Sequence, residues 1–404
     1  EKDIDKGKIE LNEKDSDKEE IKVEEKEKEK VPEFGKKNEE EISSTNYKIT
    51  NEDEDLKPSE RLKNNIEAIK TLKEVESQNR NATKEEQEIL SKYVGWGGLS
   101  DVFDETKVGQ WKEAREYLQN NLTKEEYKAA KQSTLTAFFT PKKVISSIYT
   151  TLSELGAKGN VLEPSMGIGK FIGAAPDEFS KSNFYGVELD SISGRIGKLL
   201  YPDSNIEIKG FEETNFSNNF FDVAIGNVPF GSFKIFDKDY KNNNFLIHDY
   251  FFAKAIDKVR AGGIIAFITS SGTMDKKNDS IRKYINTRCD FLGAIRLPTS
   301  TFKGTAGTEV TSDIIFLAKK SRPYEKAENW LGVLNGENNL TYNSYFVSYP
   351  KMVLGKMKSI ISKYGKSVVC IEDENKSFDE LYKEASKNII ARYNELKIQR
   401  EHDI

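Results

Sequence analysis

The sequence predicts an α/β fold: a doubly wound sheet of seven strands, preceded by a helical region and, at the front, by a charged disordered segment. Two observations predict it. From about Thr134 onward, short apolar runs of strand length alternate with amphipathic helical stretches, the pattern of a sheet with helices on both faces. Before that point apolar residues recur with the helical period, and before residue 47 too few of them occur to build a core.

Residues 1–46 are dominated by Lys, Glu and Asp, as in "KVEEKEKEK". Such a segment cannot offset its ordering entropy and is expected to be disordered, the alternative being one charged helix over "EEKEKEK". Residues 1–60 hold 13 Lys+Arg against 22 Asp+Glu, a net of −9. The whole chain of 404 residues has 62 and 67, so residues 61–404 carry 49 and 45, a net of +4. The body is therefore mildly basic, which permits a nucleic-acid partner without demanding one.

Residues 47–132 read as a helical region. "SERLKNNIEAIKTLKEVESQ" sets Leu62, Ile66, Ile69 and Leu72 on one helical face, with Ser59 as the candidate N-cap. Thr83 and Glu86 have capping-box spacing ahead of the next helix. The glycines around Trp96 in "GWGGLSDVFDE" then break the helical pattern. Trp96 is either a contact for DNA or another domain, or a residue packed at a domain junction. "TKEEYKAAKQS" adds a further helix.

Residues 133–320 form the α/β domain. A helix over "PKKVISSIYTTLSEL" opens at Pro141, a good first-turn residue. The strands are "GNVLEP", "NFYGVELD", "SNIEIKGF", "FFDVAIGN", "GGIIAFITS", "FLGAIRLP" and "TSDIIFLAKK". Helices lie between them, notably over "SISGRIGKLLYP", "IHDYFFAKAIDKVRA" and "SIRKYINTR". Residues 321–404 form an extension that is partly helical, its helix covering "SFDELYKEASKNIIARYNELKIQR". Cys289 and Cys370, the two cysteines, have no spacing that suggests metal or redox chemistry. Apolar runs such as "IIAFI" fall far short of a membrane span and no leader is visible, so a cytoplasmic protein is expected.

Ligands of doubly wound sheets sit beyond the C-terminal ends of the strands. There "VLEPSMGIGKF" sets Glu163, Gly167 and Gly169 in a strand-to-helix turn, where small residues let a ligand approach the backbone. A glycine turn of this kind also serves packing alone, and neither the Walker pattern nor a full G-x-G-x-x-G is present. Glu188, in "GVELD", follows the glycines by about twenty residues, the spacing at which an acid grips ribose hydroxyls. In "AIGNVPFG", Asn227 ends a strand and Pro229 biases Val228 toward extended backbone. The Asn227 amide oxygen, the Val228 carbonyl and the Phe230 ring fit an exocyclic amine on a flat conjugated system. An ordinary turn with a buried Phe is the alternative. His248, at a helix start, reads as structural rather than as a DNA contact.

In this order, "AFFTPKKV", "VLEPSMGIGKF", Glu188 and "NVPF" resemble the amino-methyltransferases that use S-adenosylmethionine, specifically DNA N6-adenine methyltransferases of the gamma arrangement. The resemblance covers about Thr134 to Lys320. "YVGWGGL" and "NVPFG" further resemble methylase domains of methylase-helicase proteins on conjugative elements and phages. The resemblance implies a Rossmann-like methyltransferase sheet, S-adenosylmethionine as cofactor, DNA as partner, a helicase region or partner, and no metal. It implies that Phe139, Thr140 and Pro141 meet the methionine carboxylate end. Glu163 and the backbone of Ser165 to Gly167 would hold the amino group, beside Gly169, and Glu188 the ribose. Phe211 or Glu212, in "KGFEETNF", stands where the family holds the cofactor adenine, usually with an Asp-Phe pair. Phe302, in "STFKG", stands where the family carries a second aromatic against the target base.

The implied chemistry needs no nucleophilic side chain. Asn227 and the Val228 carbonyl would accept both hydrogens of the adenine amine and free its delocalised lone pair, so that positioning carries the rate. The base would leave the duplex and stack on Phe230. Val228 departs from the family, which has proline there; Val228→Pro is expected to keep or raise activity provided the Val228 N–H is free. Three other readings are a protein N5-glutamine methyltransferase, disfavoured by "FFTP" and the helical region, an N4-cytosine methyltransferase, and a degenerate module that binds DNA or a partner.

Overall fold

A computed structural model of the chain describes residues 42–53, 55–134, 139–229, 231–302, 311–362 and 365–402. Phe230 and residues 1–41 of the expected disordered segment lie outside the described residues. Among the described residues no helix is long and apolar enough to cross a membrane.

The helical region comprises α1 (Pro58–Ser77), α2 (Lys84–Ser91), α3 (Gln110–Asn121) and α4 (Lys124–Ser133). Helix α1 starts earlier than the Ser59 cap predicts. Pro58 takes the first helical position, where its fixed φ suits the helix, and the Glu60 carboxylate accepts the Lys57 N–H at 2.8 Å. The Thr83–Glu86 capping box forms as its spacing predicts, and Thr123 with Glu126 repeats it on α4. Before α1 the chain runs extended over its neighbours: Ser43 N–H donates to Ala82, Tyr47 N–H to Leu200 and Ile49 N–H to Gly173.

The sheet follows, with α5 (Lys142–Glu154), β1 (Asn160–Glu163), α6 (Lys170–Gly173), β2 (Asn183–Glu188), α7 (Ser191–Leu200), β3 (Asn205–Ile208) and β4 (Phe221–Asn227). Then come α8 (Ile247–Lys258), β5 (Val259–Ser270), α9 (Gly272–Asp275), α10 (Ser280–Arg288), β6 (Cys289–Leu297) and β7 (Ser312–Lys319). All seven expected strands are present, in the order β3-β2-β1-β4-β5-β7-β6. Strands β1 to β5 pair in parallel, while β7 runs antiparallel to both β5 and β6. Helix α5 buries Val144, Ile145, Ile148 and Leu152 on one face; at ~1.5–3 kcal/mol per fully buried aliphatic side chain, this packing outweighs helix propensity.

The helical region is fastened to the sheet layer by polar contacts as well as apolar ones. Gln87 Nε2 donates to the Leu199 and Leu200 carbonyls at the end of α7. Arg195 of α7 pairs with Glu76 of α1 and Glu126 of α4, at 2.7 and 2.6 Å.

The C-terminal part holds more than the one helix expected. It contains a hairpin of β8 (Val333–Asn335) and β9 (Thr341–Asn343), α11 (Ser344–Ser348), and a second hairpin of β10 (Gly355–Ser362) and β11 (Gly365–Glu372). It ends in α12 (Phe378–His402). The Phe291 ring of β6 stacks on Trp330 with centroids 4.4 Å apart, and Tyr382 of α12 hydrogen-bonds Thr151 of α5.

Candidate active site

Strand β1 lies between β2 and β4, so the strand order reverses there, and a doubly wound sheet opens its ligand crevice at such a point. Each of these three parallel strands ends on a polar side chain: Glu163 on β1, Glu188 on β2 and Asn227 on β4. All three line one cavity of about 940 Å³. Phe139, Thr140, Ser165, Gly167, Phe211 and Glu212 line it too, as do Val228 and Pro229. Sequence positions from 139 to 229 are thus gathered at one sheet edge.

The glycine turn is held open by geometry. Gly167 has φ +57°, and a Cβ there would stand 3.1 Å from the Phe139 ring. The other edge of that ring faces Gly95 of the "GWGG" stretch, also at positive φ (+68°), where a Cβ would stand at 2.8 Å. Phe139 is therefore clamped between a glycine of the helical region and a glycine of the β1 turn, and larger residues at either place would displace it.

The two acids differ in their partners. Glu188 accepts the Gly167 N–H at 2.7 Å and the Asp190 N–H at 2.8 Å. Burial nevertheless pushes its carboxyl up to about 7, with those amide donors opposing the shift. Glu163 Oε2 is buried and has no hydrogen-bond partner among the described residues. Burial, and then the neighbouring Glu188 charge, raise the Glu163 carboxyl well above the usual carboxylate range. Asn227 Oδ1 is likewise buried without a partner among the described residues. Positive charge and hydrogen-bond donors brought by a ligand suit the two acids, and a separate donor suits Asn227 Oδ1, because an unpaired buried acceptor costs ~1–3 kcal/mol. The ammonium and ribose hydroxyls of S-adenosylmethionine are donors of the kind that the two acids accept.

Val228 corrects one expectation. Its N–H is not free; it donates to the Ile268 carbonyl of β5 at 3.0 Å, continuing the β4–β5 ladder past Asn227. Proline would remove that donor and leave a buried carbonyl unpaired. Val228→Pro is expected to lower stability by ~1 kcal/mol in denaturant unfolding, rather than restore a better loop.

Three further expectations fall elsewhere. Pro141 caps α5 and Gly169, at φ +89°, starts α6 against the Tyr201 ring; neither lines the cavity. Phe302 is buried in the turn Thr299–Phe302 that follows β6, the outermost strand beyond β7, and does not line the cavity. His248 is buried on α8, and burial lowers its pKa.

Sequence reasoning missed one wall. Tyr93, Trp96, Glu125, Gln132 and Ser133 of the helical region line the same cavity. Trp96 is buried, edge-on to Tyr93 and to Phe103, so of its two readings the packed one describes its surroundings. The glycines around Trp96 were the only signal for this wall. Phe233 and Ile235, from the segment after β4, also line the cavity.

Residues 112–400 match the family described as N-6 DNA methylase. Defense against restriction protein B of Escherichia phage P1 is 30% identical over 281 residues, which cover 68% of this chain and 11% of that protein. Type II methyltransferase M.XamI of Xanthomonas campestris pv. amaranthicola is 28% identical over 204 residues, covering 43% of this chain and 37% of that one. The chain thus spans 11% and 37% of the length of these curated relatives. Among solved structures, the M protein of the type I restriction enzyme EcoKI aligns over 84% of this chain and 90% of its own, at 14% identity and a TM-score of 0.40. The methyltransferase subunit of a type I restriction-modification system from Streptococcus thermophilus covers 83% and 93%, at 12% identity and a TM-score of 0.38. The family match extends over more than two thirds of the residues, and the chain belongs to the N-6 DNA methylase family, whose cofactor is S-adenosylmethionine.

Proposed function

We propose that the protein methylates the N6 amine of adenine in DNA, with the adenine turned out of the duplex into the Asn227–Val228–Pro229–Phe230 pocket. The observation that carries this reading is the buried Asn227 Oδ1 at the end of β4, without a partner among the described residues, in the same cavity as Glu163 and Glu188. When bound, S-adenosylmethionine supplies an electrophilic methyl group on sulfur. Asn227 Oδ1 and the Val228 carbonyl accept the two amine hydrogens and fix the nitrogen for an in-line approach. Phe230 stacks on the extruded ring, which offsets part of the few kcal/mol that unstacking costs. Glu163 takes the cofactor ammonium, Glu188 the ribose hydroxyls, and Phe139 with Thr140 the carboxylate end. Phe211 and Glu212 flank the cofactor adenine. A cytoplasmic setting and action beside a helicase region or partner belong to the same reading; the resemblance to methylase-helicase proteins supports them.

Transfer of labelled methyl groups to DNA, compared with transfer to protein, tests the reading, and sequencing of modified bases locates the target. Label on adenine N6 supports it; label on glutamine or on cytosine overturns it.

The Glu188 assignment has its own pH signature. A carboxylate binds hydroxyl donors better than a carboxylic acid does, and this carboxyl sits at about 7. Cofactor affinity should therefore rise roughly tenfold between pH 6 and pH 8, as the competent fraction rises. Glu188→Gln should flatten that dependence, and Glu188→Ala should weaken binding by ~1.5–3 kcal/mol, both read by calorimetry. The ligand-free protein shows the opposite trend. Because the folded-state value lies above the ordinary 4.5, the Glu188 contribution to stability is complete below pH 4.5 and is lost as pH rises through about 7. Affinity that is flat with pH and unchanged in Glu188→Ala removes the ribose assignment.

A further inference from the structure

Between β4 and α8 the chain runs from residue 228 to 246, and its part from 231 onward is built unlike a solvated loop. Phe236 is 79% exposed and Phe233 55%, three positions apart. Ile235, between them, and Phe233 itself line the cavity, and Phe236 is the next residue in the chain. Single exposed apolar residues are ordinary on a surface; two exposed phenylalanines on one short segment that borders a cavity are not.

The segment is also anchored. Asp237, the residue after Phe236, is buried and accepts hydrogen bonds from Tyr250 Oη at 2.7 Å and Lys254 Nζ at 3.0 Å, both on α8. Lys254 in turn lies 5.2 Å from the centre of the Phe211 ring, itself in the cavity wall. Next to the buried pair, Phe233 accepts the Ile247 N–H at the start of α8. A side chain held out by a buried ion pair on its immediate neighbour cannot easily fold back onto the surface. Around it Lys234, Lys238 and Lys241 are exposed, against one exposed acid, Asp239. Asn242, Asn243 and Asn244 extend this polar, net-positive surface. A polyanion with stacked aromatic faces fits such a surface: lysines meet phosphates, and an apolar ring meets a base step.

Resting on the adenine-methylation reading, we propose that Phe236 is the wedge that enters the duplex and fills the space left in the base stack when the target adenine turns out. Asp237, through Lys254 and Tyr250, is the positioning residue that keeps the wedge extended. Phe236 acts on the base stack that the adenine leaves and not on the reacting atoms. It therefore governs duplex opening and leaves the Asn227 pocket and the cofactor wall unaffected.

The test uses labelled cofactor and a duplex whose modified adenine has been mapped by sequencing. One form is fully paired; in the other, the thymine opposite that adenine is replaced by an abasic site, so little opening remains to be done. Phe236→Ala should slow transfer to the paired duplex about tenfold or more, a loss of ~1.4 kcal/mol, and transfer to the opened duplex less than about threefold. Phe236→Leu, which keeps an apolar wedge, should recover most of the paired rate. Since Phe236 is exposed, the variants should melt like the parent. Equal losses on both duplexes, or no loss on either, overturn the wedge. If the unaltered protein modifies no adenine at all, the methylation reading itself fails, and the wedge goes with it because no base is being extruded.

Discussion

Asn227→Ala is expected to slow methyl transfer to DNA by ~10²–10³-fold, the cost of losing one positioned hydrogen-bonding group at a reacting centre, while cofactor affinity changes by less than about twofold. The division follows from where the residue sits. Asn227 is the last residue of β4, paired in register with Ile268, and its backbone is fixed by the β4–β5 ladder, which runs on to Val228. The side chain contributes one buried oxygen to the cavity that no described residue uses. The cofactor contacts proposed above come from other strands: Glu163 ends β1, Glu188 ends β2, and the glycine turn follows β1. Removing the amide leaves those in place. Asn227→Gln, which moves the same oxygen by one methylene, should also fail to restore transfer if position matters more than polarity. Cofactor binding with full methyl transfer in Asn227→Ala would show that "NVPF" only shapes the fold. Cofactor binding with no DNA modified by the unaltered protein would leave the degenerate binding module.

Much of this site was legible in the sequence because its chemistry sits at strand ends, and strand ends are marked. The seven strands are short apolar runs closed by glycine, proline or a polar or charged residue, so Glu163, Glu188 and Asn227 could each be assigned to the same edge before any distance was known. The cavity wall from the helical region was not legible. Glu125, Gln132 and Ser133 are ordinary surface residues of an amphipathic helix, and only docking through Arg195 and Gln87 turns that face toward the cofactor edge. The partner of the Val228 N–H was also hidden, since a backbone donor has no sequence signature. Helix α3 lies within the region read as helical but was not delimited in it, because Gly109 precedes it with no side-chain cap. The hairpin β10–β11 was missed because its exposed lysines and serines break the two-residue alternation that marks a half-buried strand.

Arg296→Met is expected to destabilise the fold by ~3–5 kcal/mol, the cost of stripping two carboxylates of the buried cation that bridges them. Arg296 is fully buried on β6. Its guanidinium binds both oxygens of its cross-strand partner Asp313 at 2.8 and 2.9 Å, and both oxygens of Asp275 at 2.9 Å. The Phe346 ring of α11 lies 4.4 Å from the guanidinium carbon. Asp275 also accepts the Asn343 N–H of β9, and the Arg296 carbonyl accepts the Leu354 N–H. One side chain thus joins β6, β7, α9 and the C-terminal hairpin, and its loss should loosen the docking of residues beyond 320 as well as the sheet edge. Burial already pushes the Asp313 carboxyl upward against the pull of Arg296. Without the guanidinium that upward push is unopposed, so the variant's folded state holds a proton its unfolded state releases. The stability deficit should therefore be largest near pH 8 and shrink as pH falls toward 5. Adding Asp313→Leu to Arg296→Met should recover much of the loss at neutral pH, since well-packed apolar groups replace buried ion pairs at little cost. A deficit below about 1 kcal/mol, or one that does not vary with pH, would mean that the surrounding apolar packing holds these elements and the charges are incidental to it.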